Sequence, residues 1–147
     1  MADSISKKER SALMAKVRST GNRSTEGRVE VVLKKARIRG WKKHPKDIAG
    51  CPDFYFPKAR LVIFVDGCFW HACPKCGRLP SSNAKYWIPK IDANRRRDNR
   101  TRRHLRAQGF HVIGIWEHEV KNASWLLRIE RMIDKHGRNR RLLVARP

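Results

Sequence analysis

Three closely spaced cysteines are the strongest chemical signal in this sequence. Cys68, Cys73 and Cys76 fall within nine residues of a stretch rich in glycine, proline and aromatic side chains, which is typical of a loop. Thiolates at this spacing are ligands that a tetrahedral zinc ion selects. The fourth ligand is either His71, inside the same loop, or His118, just after a predicted strand. We therefore predict a structural zinc site, which stabilises the fold and leaves no open position for catalysis.

Acidic residues at the ends of predicted elements suggest a second, catalytic metal site. Asp53 follows Pro52 at the start of one predicted strand, and Asp66 follows the next, so their carboxylates could meet at one edge. Carboxylate oxygens bind Mg²⁺, which neutralises transition-state charge and activates water during phosphodiester hydrolysis. For both residues, an acid that only caps a turn is the competing interpretation. Glu26 and Asp98, at other element boundaries, are further candidates for the same site.

His71 is the candidate general acid or base. An imidazole, with an ordinary pKa near ~6.5, can take a proton from an attacking water or give one to the leaving oxygen. Asp98 could orient the ring by accepting its second N–H. The residue types alone are equally consistent with a histidine buried in the core.

The charge balance indicates a polyanionic partner. With 35 Lys and Arg against 13 Asp and Glu, the net charge is +22, which makes nucleic acid the first partner to consider. A merely solvated basic surface is the alternative. No apolar run reaches the ~18 residues that cross a bilayer, and the N-terminus lacks the apolar stretch of a signal peptide. We therefore expect a cytoplasmic protein, in whose reducing compartment the cysteines favour metal binding or free thiols over disulfides.

A small α/β fold must position these residues. The 147 residues have room for one compact domain, which we place at 24–136, after an N-terminal arm at 1–23 with a short helix and before a basic tail at 137–147. Apolar periodicity and turn residues predict a helix from Ser24 or Thr25 to near Gly40, strands at 53–56 and 61–65 joined by a turn at 57–59, an irregular segment at 67–90, a helix at 91–108 ended by Gly109, a strand at His111–Trp116 and a helix at 123–135. This order predicts a mixed α/β sandwich around a small sheet.

Four blocks of the sequence resemble the very-short-patch repair (Vsr) mismatch endonucleases. They are GCPDFYF, LVIFVDGCFWHACPKCGR, YWIPKIDANRRRD and GFHVIGIWEHEV, in the family's order and with similar gaps. The resemblance covers about residues 8–120, and RSALM is similar to the family's start. It implies a restriction-endonuclease-like fold of the PD-(D/E)xK type, a three-layer α/β/α sandwich with a structural zinc. It also implies an enzyme that nicks one DNA strand beside a T:G mismatch left by deamination of 5-methylcytosine.

The same resemblance implies a role for each candidate catalytic residue. Asp53 is similar to the family's magnesium-binding aspartate, and the backbone carbonyl of Val65 is similar to a second magnesium ligand. His71 resembles the catalytic histidine, Asp98 its partner, and Glu26 an acid near the metal-bound water.

Three aromatic residues, Phe69, Trp70 and Trp87, resemble those that the family wedges into the base stack. Such wedges unstack a base step at a cost of roughly a few kcal/mol, and less at a mismatch, which favours damaged DNA. Burial in the hydrophobic core is the alternative interpretation of these side chains.

The chain departs from the family pattern near the metal site. Val65 and Asp66 stand where the best-known members have Thr and His, so Asp66 adds a carboxylate there. Cys68 occupies the position of the wider superfamily's lysine, and His118 stands where a Cys is common, which keeps four zinc ligands. These departures affect recognition, namely the sequence context and whether a mismatch is required.

Two other classes of protein are consistent with the sequence. A DNA-binding module stabilised by zinc explains the charge and the cysteines. It does not explain why the acidic residues would share one site. A nicking or restriction-type enzyme that acts on undamaged duplex is the alternative among nucleases. For the repair enzyme we expect a monomer with double-stranded DNA as its partner, and mismatch-repair proteins acting after the nick.

Overall fold

A four-stranded sheet organises the part of the chain that the structure describes. The computed structural model describes residues 6–15, 25–77 and 81–144. Its elements, in chain order, are α1 Lys7–Ala15, α2 Glu26–Lys35, β1 Lys42–Lys43, β2 Phe54–Phe56, β3 Leu61–Asp66, α3 Ala84–Ala107, β4 His111–Trp116 and α4 Trp125–Val144, with short 3-10 helices at Pro57–Ala59 and Glu117–Glu119. Among these described residues, no helix is long and apolar enough to cross a membrane.

The sheet is mixed, with strand order β1-β2-β3-β4. β1, β2 and β3 pair antiparallel, whereas β3 and β4 run parallel along their whole length. Because a parallel pair needs a crossover, the chain between these two strands returns through α3. The two strands end side by side at Asp66 and Trp116. The loops that follow them therefore begin at the same edge of the sheet.

Side chains of β3 alternate between two hydrophobic cores. Leu61 and Ile63 belong to the larger core, to which α2 and α4 contribute. Val62 belongs to a smaller core with Ile48 and with Leu105 of α3. Since successive side chains of a strand point to opposite faces, α2 and α4 cover one face of the sheet and α3 covers the other. Burial on both faces explains why the sequence of β3 is apolar without alternation.

The predicted mixed α/β fold and its strands are confirmed, but the predicted end of α2 is wrong. The hairpin of β2 and β3 and the bounds of β4 agree with the structure. α2 ends at Lys35 instead of near Gly40, because Arg37 adopts a left-handed backbone with φ 56°. The N–H of Ile38 then closes on the carbonyl of Leu33 at 3.0 Å. Because glycine is the usual residue at such a position, Gly40 suggested that α2 ends later than it does.

Two other helices are longer than predicted. α3 begins at Ala84 instead of 91, although Pro89 lies inside it. The proline removes one helical N–H, but packing of the helix, including buried Ile91, outweighs that loss. α4 continues through Gly137 to Val144 instead of ending near 135. A single glycine weakens a helix without ending it.

The starts of α1 and α2 differ in their capping. α1 is the short helix predicted in the N-terminal arm. It begins with a reciprocal pair of hydrogen bonds between Ser6 and Glu9. The N–H of Glu9 donates to Ser6 Oγ at 3.2 Å, and the N–H of Ser6 donates to Glu9 Oε2 at 2.8 Å. At α2 the side chain of Thr25 makes no cap hydrogen bond. Ser24, the other predicted cap, lies outside the described residues.

Candidate functional site

The three loop cysteines and His118 meet at one point. His118 Nδ1 lies 3.3 Å from Cys68 Sγ, 3.5 Å from Cys73 Sγ and 3.4 Å from Cys76 Sγ. The sulfurs of Cys73 and Cys76 are 3.7 Å apart. Around a tetrahedral zinc ion, bonds of about 2.3 Å to sulfur and about 2.0 Å to nitrogen would separate these atoms by about 3.5–3.8 Å. The Cys3His cluster is therefore compatible with a structural metal such as zinc.

The fold brings this Cys3His cluster together from two strand ends. Cys68 follows β3, and His118 lies in the 3-10 helix after β4, so the parallel pair delivers both to the same edge. Within the loop, the N–H of Cys73 donates to the carbonyl of Cys68 at 2.9 Å, and that of Gly77 donates to Cys73 at 2.9 Å. A Cβ on Gly77 would lie 2.5 Å from the Cys73 nitrogen, so only glycine fits there.

The environment of Cys68 disfavours its thiolate when no cation is bound. Burial raises the pKa of the Cys68 thiol to about 12, so this side chain stays protonated at neutral pH unless a positive charge compensates its thiolate. A zinc ion in the cluster would supply that charge, because zinc binds the deprotonated sulfur.

A second group of possible metal ligands consists of Glu26, His44 and Asp53. One ligand atom from each lies within 4.8 Å of the others. Oε1 of Glu26 contacts Nε2 of His44, which is 3.8 Å from Oδ1 of Asp53. The other carboxylate oxygen of Asp53 accepts a hydrogen bond from the N–H of Val65 at 2.7 Å. Asp53 is thus fixed to β3 by one oxygen and presents the other to this group.

The electrostatics of the Glu26–His44–Asp53 group disfavour uncompensated negative charge. Burial raises the pKa of Asp53 to about 6, and the nearby charge of Glu26 acts in the same direction. The hydrogen bond from Val65 opposes this shift. A carboxylate with a pKa raised in this way is typical of functional sites, where a bound cation relieves the repulsion.

His71 and Asp98 form a separate pair. Nδ1 of His71 contacts Oδ2 of Asp98, which reaches the loop from α3. Burial raises the pKa of Asp98, but the hydrogen bond from His71 and the charge of its ring outweigh burial and lower the pKa overall. The loop is held in place by two further bonds: the N–H of His71 donates to Gly67 O at 3.2 Å, and Asn94 Nδ2 donates to Trp70 O at 3.2 Å.

Asp66 lies apart from the Glu26–His44–Asp53 group. Its buried carboxylate forms an ion pair with Arg102 of α3. Along β3, Phe64 packs in the smaller core and Val65 against the larger one, so Asp66 points to the face that α3 covers. The structure therefore places Asp53 and Asp66 at the same end of the sheet but gives their side chains different partners.

The three aromatic residues that resemble the family's wedges form one cluster. The ring centroids of Phe69 and Trp70 are 5.3 Å apart, those of Phe69 and Trp87 are 5.3 Å apart, and those of Trp70 and Trp87 are 5.8 Å apart. All three side chains are half-buried. Tyr86 extends the cluster, and the guanidinium of Arg10 in α1 lies 5.6 Å from its ring centroid.

His44 is the residue of this site that the sequence analysis missed. It follows β1, a two-residue strand that was not predicted, and the pairing of Lys43 with Phe54 sets it beside Asp53. The N–H of His44 donates to the carbonyl of Asp53 at 3.3 Å. A single histidine among lysines, between a helix and a strand, carries no periodic signal. Only the strand pairing shows which residue it faces.

Comparisons with known proteins agree on one family. Residues 2–77 match the family described as DNA mismatch endonuclease Vsr. A protein from Xanthomonas oryzae pv. oryzae (strain KACC10331 / KXO85), named type II nicking enzyme V.XorIIP, is 42% identical over 137 residues, which is 91% of this chain and 98% of the relative. Type II nicking enzyme V.NmeAIP of Neisseria meningitidis serogroup A / serotype 4A (strain DSM 15465 / Z2491) is 37% identical, covering 84% and 88% of the two chains. DNA mismatch endonuclease Vsr of Escherichia coli (strain K12) is 32% identical, covering 80% and 74%.

Proposed function

Because this chain belongs to the Vsr family of DNA mismatch endonucleases, we propose that it nicks one strand of duplex DNA beside a T:G mismatch. The observation that carries this proposal is the Glu26–His44–Asp53 group. In a protein of net charge +22, a DNA-binding module gains nothing from a buried acidic group, which repels phosphate. A metal-dependent nuclease needs such a group to hold its cation.

The metal site of this proposal is built on Asp53. We assign a catalytic Mg²⁺ to the carboxylate of Asp53, with the backbone carbonyl of Val65 as a further ligand and Glu26 near the attacking water. When bound, the ion neutralises charge on the phosphate and lowers the pKa of the water. Asp66, held by Arg102, adds to the negative potential at Asp53.

Proton transfer is assigned to His71. Nδ1 of His71 contacts Asp98, so we assign the ring hydrogen to Nδ1 and the role of proton acceptor to Nε2. A water oxygen attacks phosphorus, the water proton passes to Nε2, and the bond between phosphorus and the leaving oxygen breaks. The leaving oxygen then takes up a proton, which the imidazolium can return. Asp98 orients the ring and stabilises its positive form.

The remaining parts of the fold serve binding. We assign zinc to Cys68, Cys73, Cys76 and His118 as a structural ion, and a restriction-endonuclease-like three-layer arrangement to the sheet and its helices. Exposed arginines along α3 offer contacts to phosphate; they are Arg95, Arg96, Arg97, Arg100, Arg103 and Arg106. The half-buried cluster of Phe69, Trp70 and Trp87 would wedge into the base stack, where a mismatch lowers the cost of unstacking.

The test is strand cleavage of an end-labelled duplex that carries one T:G mismatch, beside its T:A and C:G counterparts, with and without Mg²⁺. We expect nicking of the T strand of the mismatched duplex alone, only with Mg²⁺, and its loss in Asp53→Ala and His71→Ala. Asp47→Asn, which alters an exposed acid, should cleave like wild type. Binding without cleavage by the wild-type protein would remove the catalytic proposal.

A second candidate is nicking that needs no mismatch. It is favoured by the names of several relatives, V.XorIIP and V.NmeAIP among them, which describe type II nicking enzymes. Equal cleavage of all three duplexes would select this candidate. The assigned roles of Asp53 and His71 would then stand, but the proposed requirement for a T:G mismatch would not.

A further inference from the structure

We infer that His44 is a nitrogen ligand of the catalytic divalent ion, so that the ion is held by Glu26, His44 and Asp53 together. This inference rests on the proposed function, since it adds a ligand to the same metal site. A site with one imidazole and two carboxylates accepts a transition-metal ion such as Mn²⁺ as well as Mg²⁺, whose preference is for oxygen alone.

The backbone at His44 is the first observation behind this inference. His44 has a left-handed conformation with φ 46°, which is unfavourable for a residue with a Cβ and which the surrounding structure must enforce. The hydrogen bond from its N–H to Asp53 O, at 3.3 Å, holds the strained residue in place. At this position the ring of His44 contacts the carboxylate of Glu26, and 25% of the side chain stays exposed.

The second observation is the placement of the ligand atoms. Nε2 of His44 contacts Oε1 of Glu26 and lies 3.8 Å from Oδ1 of Asp53. In a six-coordinate ion with bonds of about 2.1 Å, neighbouring ligand atoms are about 3 Å apart and opposite ones about 4 Å. The observed atoms all lie within 4.8 Å of one another, so one ion can be reached by all three with small side-chain shifts.

The third observation is burial. The side chain of Glu26 is 4% exposed, that of Asp53 15% and that of His44 25%. A carboxylate as buried as that of Glu26 needs a compensating positive charge. The ammonium group of Lys43, 3.9 Å from Oε1 of Glu26, supplies part of this charge, and a divalent ion that Nε2 of His44 also binds would supply more.

The alternative is that His44 only pairs with Glu26 and never touches the ion. The two roles differ in one measurable way: direct ligation places a nitrogen nucleus on the metal, whereas pairing leaves only oxygen ligands from this group. Mn²⁺ is the probe, because it is paramagnetic and replaces Mg²⁺ at carboxylate sites without competing strongly for the zinc thiolates.

The experiment is titration of the full-length, zinc-loaded protein with Mn²⁺, followed by electron spin-echo measurement of nitrogen coupling to the bound ion. Wild type should bind Mn²⁺ with a nitrogen coupling. His44→Gln, which keeps a donor for Glu26, should lose that coupling and weaken Mn²⁺ binding by about tenfold or more. His104→Gln makes the same change at an exposed position of α3 and should behave like wild type.

Each other outcome overturns the inference. If wild type shows no nitrogen coupling, or if His44→Gln retains both the coupling and the affinity, His44 is not a ligand. If wild type binds no Mn²⁺ at all, the three-residue metal site is wrong. The same preparations are also tested for nicking of the T:G duplex in Mg²⁺. The proposed nicking depends on Asp53 and His71 whether or not His44 binds the ion. Nicking without a nitrogen coupling would therefore reject the role of His44 and keep the proposed function, whereas loss of nicking in wild type would reject the proposed function.

Discussion

Replacing Asp53 with Asn should stabilise the fold while removing its activity. Asp53 has a folded-state pKa of about 6, above the ordinary value near ~3.9 for an unfolded chain. Between these two values the folded protein holds the proton more tightly, so the stability of wild type falls as pH rises through that window. The difference of about 2 between these pKa values lowers the free energy of unfolding of wild type by at most about 3 kcal/mol at neutral pH. The amide introduced by Asp53→Asn carries no charge, and its oxygen can still accept the Val65 N–H.

The assay is urea unfolding of wild type and Asp53→Asn between pH 4 and 8, in buffer without Mg²⁺. We expect the variant to be more stable by roughly 1–3 kcal/mol at pH 7.5, with the advantage shrinking below pH 6 and vanishing near pH 4. Loss of zinc at low pH affects both proteins alike, and Asp47→Asn should show no such trend. Added Mg²⁺ should stabilise wild type and narrow the difference. Equal stability of the two proteins at every pH would refute the idea that Asp53 is held in a destabilising environment.

Three further changes have expected outcomes. Cys76→Ser should abolish binding of one zinc ion per chain, measured by metal analysis, and lower Tm by about 5–8 °C, equivalent to about 2 kcal/mol; Cys51→Ser, at an exposed cysteine outside the cluster, should do neither. Asp98→Asn should lower kcat for nicking by about 100-fold or more with little change in DNA affinity, because the His71 ring loses its acceptor. Gly77→Ala should cost about 1–3 kcal/mol in urea unfolding, since its Cβ would meet the Cys73 backbone. Gly137→Ala, inside α4 with no contact closer than 3.7 Å, should be neutral or stabilising.

The sequence predicted the Cys3His cluster better than the Glu26–His44–Asp53 group. The cysteine spacing is local, and only the choice between His71 and His118 needed the fold, because the parallel pairing of β3 and β4 decides which histidine reaches the cysteines. The contact of His71 with Asp98 was also anticipated, from the residue types and from the family resemblance. The partner of Asp66 was not, since Arg102 is one of many arginines in α3 and only its position on the sheet-facing side distinguishes it.

The helix ends show why local signals failed elsewhere. Gly40, a good helix terminator, was preceded by Arg37, which adopts the left-handed backbone itself. Pro89 lies inside α3 because tertiary packing outweighs a missing hydrogen bond. His44 could not be assigned for a different reason: its role depends on β1, whose two residues are too short for any periodic pattern.

The end of β3 links the Cys3His cluster to the residues proposed to be catalytic. Val65 fixes Asp53 through its N–H, and two residues later the carbonyl of Gly67 accepts the N–H of His71. Cys68, the next residue, belongs to the Cys3His cluster, so a metal bound there would hold the start of the loop that carries His71. Strand pairing fixes Asp53 independently of a metal in the cluster, whereas the backbone between the cysteines belongs to no strand or helix and is held by a few loop hydrogen bonds. We therefore expect loss of zinc to displace His71 while leaving Asp53 in place, which would abolish nicking but preserve binding of the divalent ion.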